Sequence, residues 1–317
     1  MDKRDLVIVI GENSQLAQAI ADYIERQEQT NSFQIHFFDR ATLDLTSPSS
    51  LLLALNPYLL NRELYNSIVL VNTAAYTQVE KAEEEPQKAL EVNATGVQNL
   101  VQIAQKNRLG IIHISTDFVF EGKKRCPYTE EDTPHPLSVY GKSKLEGEKT
   151  LKPLQREGMA MVIRTSWLYY HKAAHGNFLL TIADKLKKGT PLNVVNDQLG
   201  VPTNAYDLAE FIVLALKLFF KEGRFREPLL HFCNEGSATW YDYALAIATY
   251  LGLPSDILPV SSNEYPSRAL RPHYSLMSTQ LLKSVYNYHP RKWSEALAET
   301  ILRLPRNEQK GEKRDLS

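Results

Sequence analysis

Short apolar runs alternate with longer stretches of helical periodicity along most of the chain. The apolar runs have few polar interruptions, which is typical of strands buried on both faces. They are Leu6–Ile10, Gln34–Phe38, Ile68–Val71, Ile111–Ser115, Met161–Arg164 and Leu229–Phe232. The longer stretches predict helices at Gln15–Arg26, Pro48–Leu60, Glu84–Lys106, Ser138–Gln155 and Asp207–Lys221.

This alternation predicts βαβ units and an α/β fold with a doubly wound parallel sheet that is covered on both faces. After Thr165 the character changes, because prolines and aromatic residues become frequent and a single strong helix interrupts them. We interpret this half of the chain as interleaved. Some of its segments return to the sheet, and others build a smaller lobe over the carboxyl edge of the sheet.

The composition is that of an ordinary globular protein, with 43% hydrophobic and 23% charged residues among 317. A net charge of −1 implies no surface for nucleic acid. Two cysteines, Cys126 and Cys233, suit a reducing compartment and offer no metal-ligand spacing. No apolar run is long enough for a signal peptide or a membrane span, so we expect a cytoplasmic protein without membrane contact.

Two further sets of polar residues favour structural interpretations over metal binding. His113 and His231 lie in apolar runs, and we interpret them as satisfied core histidines. Glu83, Glu84 and Glu85 open a predicted helix, where the helix dipole favours negative charge, so we expect a solvated helix start.

The stretch Tyr140-Gly141-Lys142-Ser143-Lys144 carries the most informative pair of residues. On a helix, Lys144 shares a face with Tyr140, and a cation beside a phenol lowers the phenol's pKa from its usual value of about 10. Thr116 ends an apolar run and is placed to hold a carbonyl oxygen near that phenol. The three groups together make a proton-donating site for carbonyl reduction, which also requires a hydride. The alternative is a solvated helix face, since charged residues follow up to Glu148.

The first apolar run leads directly into Gly11 and then into a predicted helix. A strand, a tight turn and a helix N-terminus form a pyrophosphate site through backbone N–H groups and the helix dipole. The usual loop is GxxGxxG, and here Ser14 and Ala17 replace its second and third glycines. Ser14 puts the approach of backbone to phosphate in doubt, although its hydroxyl can itself donate to a phosphate. A Gly-containing turn without a ligand is the alternative.

Charged residues close the second apolar run. An acid such as Asp39 takes the ribose hydroxyls of NAD, whereas Arg40 accommodates the additional phosphate of NADP, so the choice between cofactors stays open. Asp44 follows shortly after, and its alternative interpretation is a helix N-terminal signal before Pro48.

In this order, the motifs resemble those of the dTDP-4-dehydrorhamnose reductases, which are sugar-nucleotide reductases of the extended short-chain dehydrogenase/reductase type. The resemblance runs from about Val7 to about Arg303. Two segments are most specific to this family and its close relatives, namely Arg164-Thr165-Ser166-Trp167 and Asp197-Gln198-Leu199-Gly200-Val201-Pro202-Thr203. The other segments are Gln15-Leu16, Leu43-Asp44-Leu45-Thr46, Asn72-Thr73-Ala74-Ala75-Tyr76-Thr77, Val79-Glu80-Lys81-Ala82-Glu83, Asn93-Ala94, Ser115-Thr116-Asp117-Phe118-Val119-Phe120, Tyr140 to Glu148, Gly176-Asn177-Phe178 and Arg271-Pro272.

The resemblance implies a Rossmann fold with a smaller carboxyl-side lobe for the substrate. It also implies an oxidoreductase of dTDP-rhamnose and polysaccharide biosynthesis, in which NADPH or NADH reduces the C4 keto group of a dTDP-4-keto-6-deoxyhexose. Thr116 would bond the keto oxygen, Tyr140 would supply the proton, and Lys144 would hold the nicotinamide ribose. The other implied cofactor contacts are Gly11, Ser14, Gln15, Leu16, Asp39, Arg40, Asp44, Leu45, Ala74, Ala75, Tyr76 and Asn93. The other implied substrate contacts are Asp117, Trp167, Asn177, Gln198 and Arg271, and no metal is implied.

The implied division places 1–165 and 205–235 in the NAD(P)-binding domain and 166–204 and 236–306 in the substrate-binding lobe, with a flexible tail at 307–317. Besides Ser14 and Ala17, three residues depart from the family pattern. Phe118 stands where Tyr is frequent, Glu80 replaces a usual Asp, and Tyr274 stands where a small polar residue is common.

Two other functions stay open. One is a non-catalytic binding module, because the regulatory subunit of methionine adenosyltransferase looks similar. The other is an epimerase or dehydratase of a nucleotide sugar. A homodimer is a reasonable expectation for this protein.

Overall fold

The computed structural model of the protein describes residues 3–27, 32–174 and 176–304. Its strands are β1 (Arg4–Ile10), β2 (Phe33–Phe38), β3 (Tyr65–Asn72), β4 (Gly110–Thr116), β5 (Ala160–Thr165), β6 (Leu168–Tyr169), β7 (Leu192–Val195), β8 (Leu199–Gly200), β9 (Thr203–Asn204), β10 (Leu229–His231), β11 (Ala238–Thr239) and β12 (Ile257–Val260). Its α-helices are α1 (Gln15–Arg26), α2 (Pro48–Leu60), α3 (Val79–Ala82), α4 (Pro86–Leu90), α5 (Gly96–Asn107), α6 (Val139–Thr150), α7 (Lys152–Arg156), α8 (Phe178–Lys187), α9 (Ala205–Glu222), α10 (Trp240–Leu251), α11 (Gln280–Tyr286) and α12 (Trp293–Leu302). The tail predicted at 307–317 lies outside the described residues.

A sheet of six parallel strands forms the centre of the molecule, in the order β10-β5-β4-β3-β1-β2. All six predicted strands lie in it. The chain passes from β1 to β2 on one side and then to β3 on the other, so the strand order reverses beside β1. Ligands of such sheets bind at the carboxyl edge near this reversal, and the Gly11 turn follows β1 at that point.

Helices cover both faces of the sheet, as the alternation predicted. Alternate residues of β1 face opposite sides, because successive side chains of a strand point to opposite faces. Val7 and Val9 belong to the core that includes α1 and α9. Leu6 and Ile8 belong to the core that includes α2 and α5. The predicted α/β fold with a doubly wound parallel sheet is therefore confirmed.

The helix predicted at 84–106 begins at Pro86 and is interrupted. A π-helical turn, Glu91–Thr95, separates α4 from α5. The turn holds Asn93, whose side chain accepts from the backbone N–H of Tyr76 at 2.8 Å and donates to the hydroxyl of Ser143 at 2.9 Å. Such wide turns commonly occur at functional sites. The helix predicted at 138–155 is likewise divided, since a separate helix, α7, begins at Lys152 with Pro153 in its first turn.

The second half of the chain is more helical than predicted. In addition to α9, it contains α8, α10, α11 and α12. The buried faces of α8, α10 and α12 form a third core with β7 and β12, in which Tyr243 and Leu297 are fully buried. These helices are 7 to 12 residues long and lie between short strands and loops, so they stand out less in the sequence than the 18-residue α9. The exact division of the chain into two domains stays a prediction. Within the described ranges, no helix has the length and apolar character needed to cross a bilayer.

Candidate active site

Thr116 and Tyr140 meet at the carboxyl edge of the sheet. Thr116 ends β4, where it pairs with Thr165 of β5. Tyr140 lies in the first turn of α6, which begins after Ser138 because that side chain accepts from the N–H of Gly141 at 3.1 Å. Helix α6 approaches the 3-10 turn after β4 (Asp117–Val119) closely, since a Cβ on Gly141 would lie 2.2 Å from the carbonyl oxygen of Phe118. The phenol of Tyr140 is hydrogen-bonded to Thr116, so the structure brings the two residues together, and their catalytic roles stay predictions.

The phenol of Tyr140 retains its proton in this environment. Burial raises its pKa to about 12, the nearby carboxylate of Asp117 adds to the rise, and a hydrogen bond with Thr116 opposes it. From the sequence, we expected Lys144 to lower this pKa, whereas the pKa of the Tyr140 phenol is raised. A phenol that is protonated at neutral pH is in the form that donates a proton.

Lys144 lies one turn after Tyr140 on α6, and only 2% of it is exposed. Its ammonium nitrogen donates to the carbonyl oxygen of Ile114 at 2.6 Å and lies 3.4 Å from Nε2 of His113. Burial lowers the pKa of Lys144 to about 8, and the carboxylate of Glu148 opposes this shift. Glu148 is itself paired with Arg164 at 2.7 Å.

Asp117 is buried beside Thr116. Its Oδ1 accepts from the Thr116 hydroxyl at 3.1 Å. Burial raises the pKa of Asp117 to about 6, and the hydroxyls of Ser275 and Thr116 oppose the rise. This carboxylate therefore changes charge within the range in which many enzymes work.

The turn after β1 has the shape of a dinucleotide cradle. Gly11 has φ +95°, and a Cβ there would lie 2.8 Å from the backbone nitrogen of Ala74. The N–H groups of Gly11 and Glu12 both donate to the carbonyl of Phe38, which ties the turn to β2. Only glycine suits this position, because it requires both a left-handed backbone and close contact with a neighbouring backbone.

Ser14 caps helix α1. Its hydroxyl accepts from the N–H of Ala17 at 3.1 Å and donates to the hydroxyl of Thr73 at 2.8 Å. The hydroxyl hydrogen is therefore directed at Thr73, which differs from the predicted donation to a phosphate. The backbone of Ser14, at φ −72° and ψ 148°, is extended and does not require glycine. Sequence reasoning missed this role, although a serine immediately before a helix is a usual signal for an N-cap.

The residues after Ser14 leave the helix start open to an anion. The N–H groups of Gln15 and Leu16 have no hydrogen-bond acceptor among the described residues. The side chains of Leu16 and Ala17 are buried, which brings the helix close to the sheet. Unpaired amides at a helix start, next to a glycine turn, fit a pyrophosphate group.

The charged residues after β2 do not decide between NAD and NADP. Asp39 accepts from the backbone N–H and the hydroxyl of Thr42, at 2.9 and 2.7 Å. Arg40 is largely exposed and forms an ion pair with Asp44 at 3.4 Å. Asp44 also accepts from Thr46, so it makes a local turn. The helix N-cap that was the alternative role for Asp44 belongs to Ser47.

The segment after β3 completes the rim of this cradle. Ala74 donates its N–H to the side chain of Asn72 at 3.1 Å, and Ala75 and Tyr76 follow it directly. Asn93 bonds both the N–H and the carbonyl of Tyr76, so Asn93 shapes the rim through the backbone. Leu45, predicted beside the cofactor, is buried against Gly96, the first residue of α5.

Trp167 lies just beyond β5 in a left-handed conformation, with φ +44°. Its ring stacks on Trp240 with a centroid distance of 3.6 Å. Gly200 makes room for the indole, since a Cβ there would lie 2.6 Å from it. Gln198 accepts from the indole N–H of Trp240 at 3.2 Å. The sequence contained no signal for Trp240, because the stack joins distant segments.

Two other predicted substrate residues are engaged within the protein. Asn177 caps α8 and donates to Gln15 at 3.1 Å and to the carbonyl of Tyr170 at 2.8 Å. Arg271 forms an ion pair with Glu80 at 2.8 Å. Asn177 thus connects the second half of the chain to the cofactor turn, and the predicted contacts of Asn177, Gln198 and Arg271 with a nucleotide stay predictions.

The residues that we interpreted as structural have defined partners. His113 accepts from Asn72 at 3.1 Å, whereas the Nε2 of His231 has no hydrogen-bond partner in the described ranges, so only one of its two nitrogens is satisfied. Glu83 accepts from the N–H of Val139 at 2.8 Å and so holds the start of α6. It is therefore more than part of a solvated helix start. No group of three His, Cys, Asp or Glu in the part of the chain that the structure describes is arranged to hold a metal ion.

The parallel sheet, the turn at its point of reversal and the Thr–Tyr–Lys set define a short-chain dehydrogenase/reductase of the extended type. The sequence profile of the family described as RmlD substrate binding domain matches residues 5–305. A dTDP-4-dehydrorhamnose reductase from Aggregatibacter actinomycetemcomitans is 31% identical over 297 residues, which cover 92% of this chain and 96% of the relative. The chain belongs to the dTDP-4-dehydrorhamnose reductase family.

Solved structures agree with this assignment. The crystal structure of dTDP-4-dehydrorhamnose reductase from Bacillus anthracis in complex with NADP has a TM-score of 0.83 and 29% identity, covering 95% of this chain and 99% of that chain. A dTDP-4-dehydrorhamnose reductase from Clostridium acetobutylicum has a TM-score of 0.81 and 33% identity, covering 93% of this chain and 98% of that chain.

A further relative was found by its sequence. The spore coat polysaccharide biosynthesis protein SpsK of Bacillus subtilis is 37% identical over 239 residues, which cover 75% of this chain and 80% of the relative.

Proposed function

We propose that this protein reduces the C4 keto group of a dTDP-4-keto-6-deoxyhexose, converting dTDP-4-dehydrorhamnose to dTDP-L-rhamnose with NADPH or NADH. The observation that carries the proposal is the meeting of a protonated phenol, Tyr140, with the hydroxyl of Thr116 at the carboxyl edge, beside the Gly11 turn. The relatives named as dTDP-4-dehydrorhamnose reductases support the substrate class, and the Bacillus anthracis structure supports the cofactor.

The nicotinamide supplies the hydride when it is bound, and the protein supplies the proton. Thr116 holds the keto oxygen, which orients the carbonyl and stabilises the charge that develops on it. Tyr140 donates its proton to the alkoxide oxygen. Because its pKa is about 12, the phenol is protonated throughout the neutral range and is still more acidic than the alkoxide.

In this proposal, backbone groups at the start of α1 and the side chain of Lys144 bind the cofactor. The open N–H groups of Gln15 and Leu16 bind the pyrophosphate, and Gly11 permits its close approach. Lys144 binds the nicotinamide ribose, and Trp167 forms a wall for the sugar. A homodimer and a cytoplasmic location also stay predictions from the sequence.

The test is a turnover assay with the keto-sugar nucleotide and each reduced nicotinamide. We expect stoichiometric oxidation of NADPH or NADH at the nicotinamide absorbance band. Tyr140→Phe should lower kcat by about 10²–10⁴-fold while cofactor binding, measured by fluorescence titration, stays nearly unchanged. Tyr65→Phe is the matched control, because Tyr65 begins β3 at the opposite edge of the sheet.

The outcomes separate the open functions. Absence of oxidation with both cofactors would overturn the reductase proposal and favour a binding module. Conversion of the sugar without consumption of added cofactor would favour an epimerase or dehydratase. Normal turnover in Tyr140→Phe would contradict the role of Tyr140 alone.

A further inference from the structure

A chain of side-chain contacts runs beneath the proposed active site from β3 through β4 to α6. Asn72 contacts Nδ1 of His113 at 3.1 Å, and Nε2 of His113 lies 3.4 Å from the nitrogen of Lys144. Asn72 is 1% exposed, His113 is 0% exposed and Lys144 is 2% exposed. Contacts at this depth are shielded from water, so their donors and acceptors must match one another.

The orientation of Asn72 fixes the tautomer of His113. The Asn72 Oδ1 accepts from the backbone N–H of Ala74 at 3.1 Å, so its Nδ2 is the atom that faces the imidazole. An amide nitrogen only donates, and therefore Nδ1 of His113 must accept. Burial and the charge of Lys144 lower the pKa of His113 well below its ordinary value, so the ring is neutral. Its single proton then lies on Nε2.

Nε2 is the ring nitrogen that faces Lys144, at 3.4 Å from its ammonium nitrogen, so the proton lies between the two side chains. An ammonium group has three N–H donors and no acceptor, so it cannot accept from the Nε2–H of His113. An uncharged amine can accept from it and still donate to the carbonyl of Ile114, which lies 2.6 Å away. The tautomer of His113 consequently favours the uncharged form of Lys144 over the charged form.

We propose that His113, held in its Nε2–H tautomer by Asn72, is a positioning residue that destabilises the ammonium form of Lys144 and directs the Lys144 nitrogen. The other groups around Lys144 act in known directions. Glu148, on the same helix, favours the ammonium, but its carboxylate is shared with Arg164 of β5. Tyr140 lies one turn earlier on α6 and is neutral below its own pKa of about 12. Any role in turnover rests on the proposed reductase function, whereas the tautomer and the charge of Lys144 do not.

The first experiment uses the wild-type chain with nitrogen-15 in its histidines. We expect the NMR signals of His113 to show an unprotonated Nδ1 and a protonated Nε2 from pH 6 to pH 9. The opposite tautomer, or a doubly protonated ring, would overturn the proposal. This measurement requires neither turnover nor a variant that must fold.

The second experiment follows the charge of Lys144 by NMR with carbon-13 at the lysine Cε atoms, with Lys144→Arg used to assign the signal. A glutamine in place of His113 can turn its carbonyl oxygen toward Lys144 and accept from the ammonium. His113→Gln should therefore raise the titration midpoint of Lys144 from about 8 by about one pH unit. His231→Gln is the matched control, because His231 is also fully buried in a strand but bonds to Tyr128.

Turnover of the same variants separates positioning from packing. If the reductase is active, the pH profile of kcat should move with the Lys144 midpoint in His113→Gln and stay in place in His231→Gln. A loss of activity in His113→Gln with an unchanged Lys144 midpoint would leave His113 as a packing residue and overturn the proposal. If no reductase activity is found, the two NMR results still decide the inference.

Discussion

Thr116 donates a hydrogen bond of 3.1 Å to Asp117, the next residue in the chain. The carboxylate is buried, and the hydroxyl of Ser275 also lowers its pKa. The hydroxyl that we assign to the keto oxygen is therefore coupled to a carboxylate whose pKa burial has raised to about 6. Because Asp117 ionises near this pH, a change of pH should alter both the stability of the protein and the charge beside Thr116.

Asp117→Asn should change the pH dependence of stability. The pKa of Asp117 is higher in the folded protein, about 6, than the ordinary aspartate value of 3.8, so the folded state binds the proton more tightly. Stability is therefore lost as the pH rises from about 4 to about 6, by about 3 kcal/mol in the free energy of unfolding. Asp117→Asn removes this loss. Urea unfolding at pH 4 and pH 7 measures the loss of stability in each protein. Equal pH dependence in the wild type and in Asp117→Asn would contradict the prediction. The exposed Asp256→Asn serves as the control.

Gly11→Ala should abolish cofactor binding and destabilise the fold. The substitution places a Cβ 2.8 Å from the backbone nitrogen of Ala74, at φ +95°. Gly223→Ala is the control, because Gly223 has φ +73° with nothing within 4 Å of the added Cβ. It should lose only about 1–2 kcal/mol from backbone strain. Thermal unfolding and fluorescence titration of NADPH provide the comparison. Similar losses in both variants, with cofactor binding retained in Gly11→Ala, would show that close packing at Ala74 is unimportant.

Ser14→Ala should reduce stability more than cofactor affinity. Its hydroxyl caps α1 and bonds to Thr73, so its removal should lower the free energy of unfolding by about 1 kcal/mol. The dissociation constant for NADPH should change less than threefold, about 0.6 kcal/mol. Ser47→Ala is the matched control, because Ser47 caps α2 in the same manner. If Ser14→Ala bound NADPH ten times more weakly at unchanged stability, the result would support the predicted hydrogen bond from the Ser14 hydroxyl to a phosphate.

Glu80→Gln should loosen the loop that carries Arg271. Burial opposes ionisation of Glu80, but hydrogen bonds from Arg271, Ala269, Ser267 and Arg268 outweigh it and lower the pKa to about 2. This stabilisation is present above the ordinary pKa of 4.5 and is lost as the pH falls toward about 2. Because the side chain is 44% exposed, solvent screening reduces it.

Hydrogen exchange of the backbone amides of Arg268 and Ala269 measures the Glu80 contact. Both amides donate to Glu80, at 2.8 and 3.1 Å. Their protection should fall by about threefold to tenfold in Glu80→Gln. Glu84→Gln is the control, since Glu84 forms an ion pair with Arg268 and accepts from neither amide. Equal exchange in the two variants would contradict the prediction.

The positions of Gly11, Tyr140 and Lys144 in the fold were predictable, because the sequence patterns that indicate them lie within a few residues. Gly11 follows an apolar run within the same few residues, and Tyr140 and Lys144 are spaced for one helix face. The interruption of the helix at 84–106 was not predictable, since the π-helical turn positions Asn93 against Tyr76 and Ser143. The helical pattern continues on both sides of that turn, so the sequence shows no break.

The pKa of Tyr140 illustrates a second limit. From the sequence, Lys144 on the same face predicts a lowered pKa. The structure directs the Lys144 nitrogen to Ile114 and His113, and burial determines the pKa of the phenol instead. Spacing along a helix places two side chains on one face, but the surrounding strands decide where each polar group points.

Periodicity and spacing along the chain suffice to predict the α/β fold, the six strands, the glycine turn and the Tyr140–Lys144 pair, because they act between near neighbours. The partners of the polar side chains, in contrast, depend on how distant segments pack together. Ser14 bonds to Thr73, 59 residues away, Asn177 to Gln15 across 162 residues, and Arg271 to Glu80 across 191. Such contacts form when the chain closes on itself, and no local pattern records them.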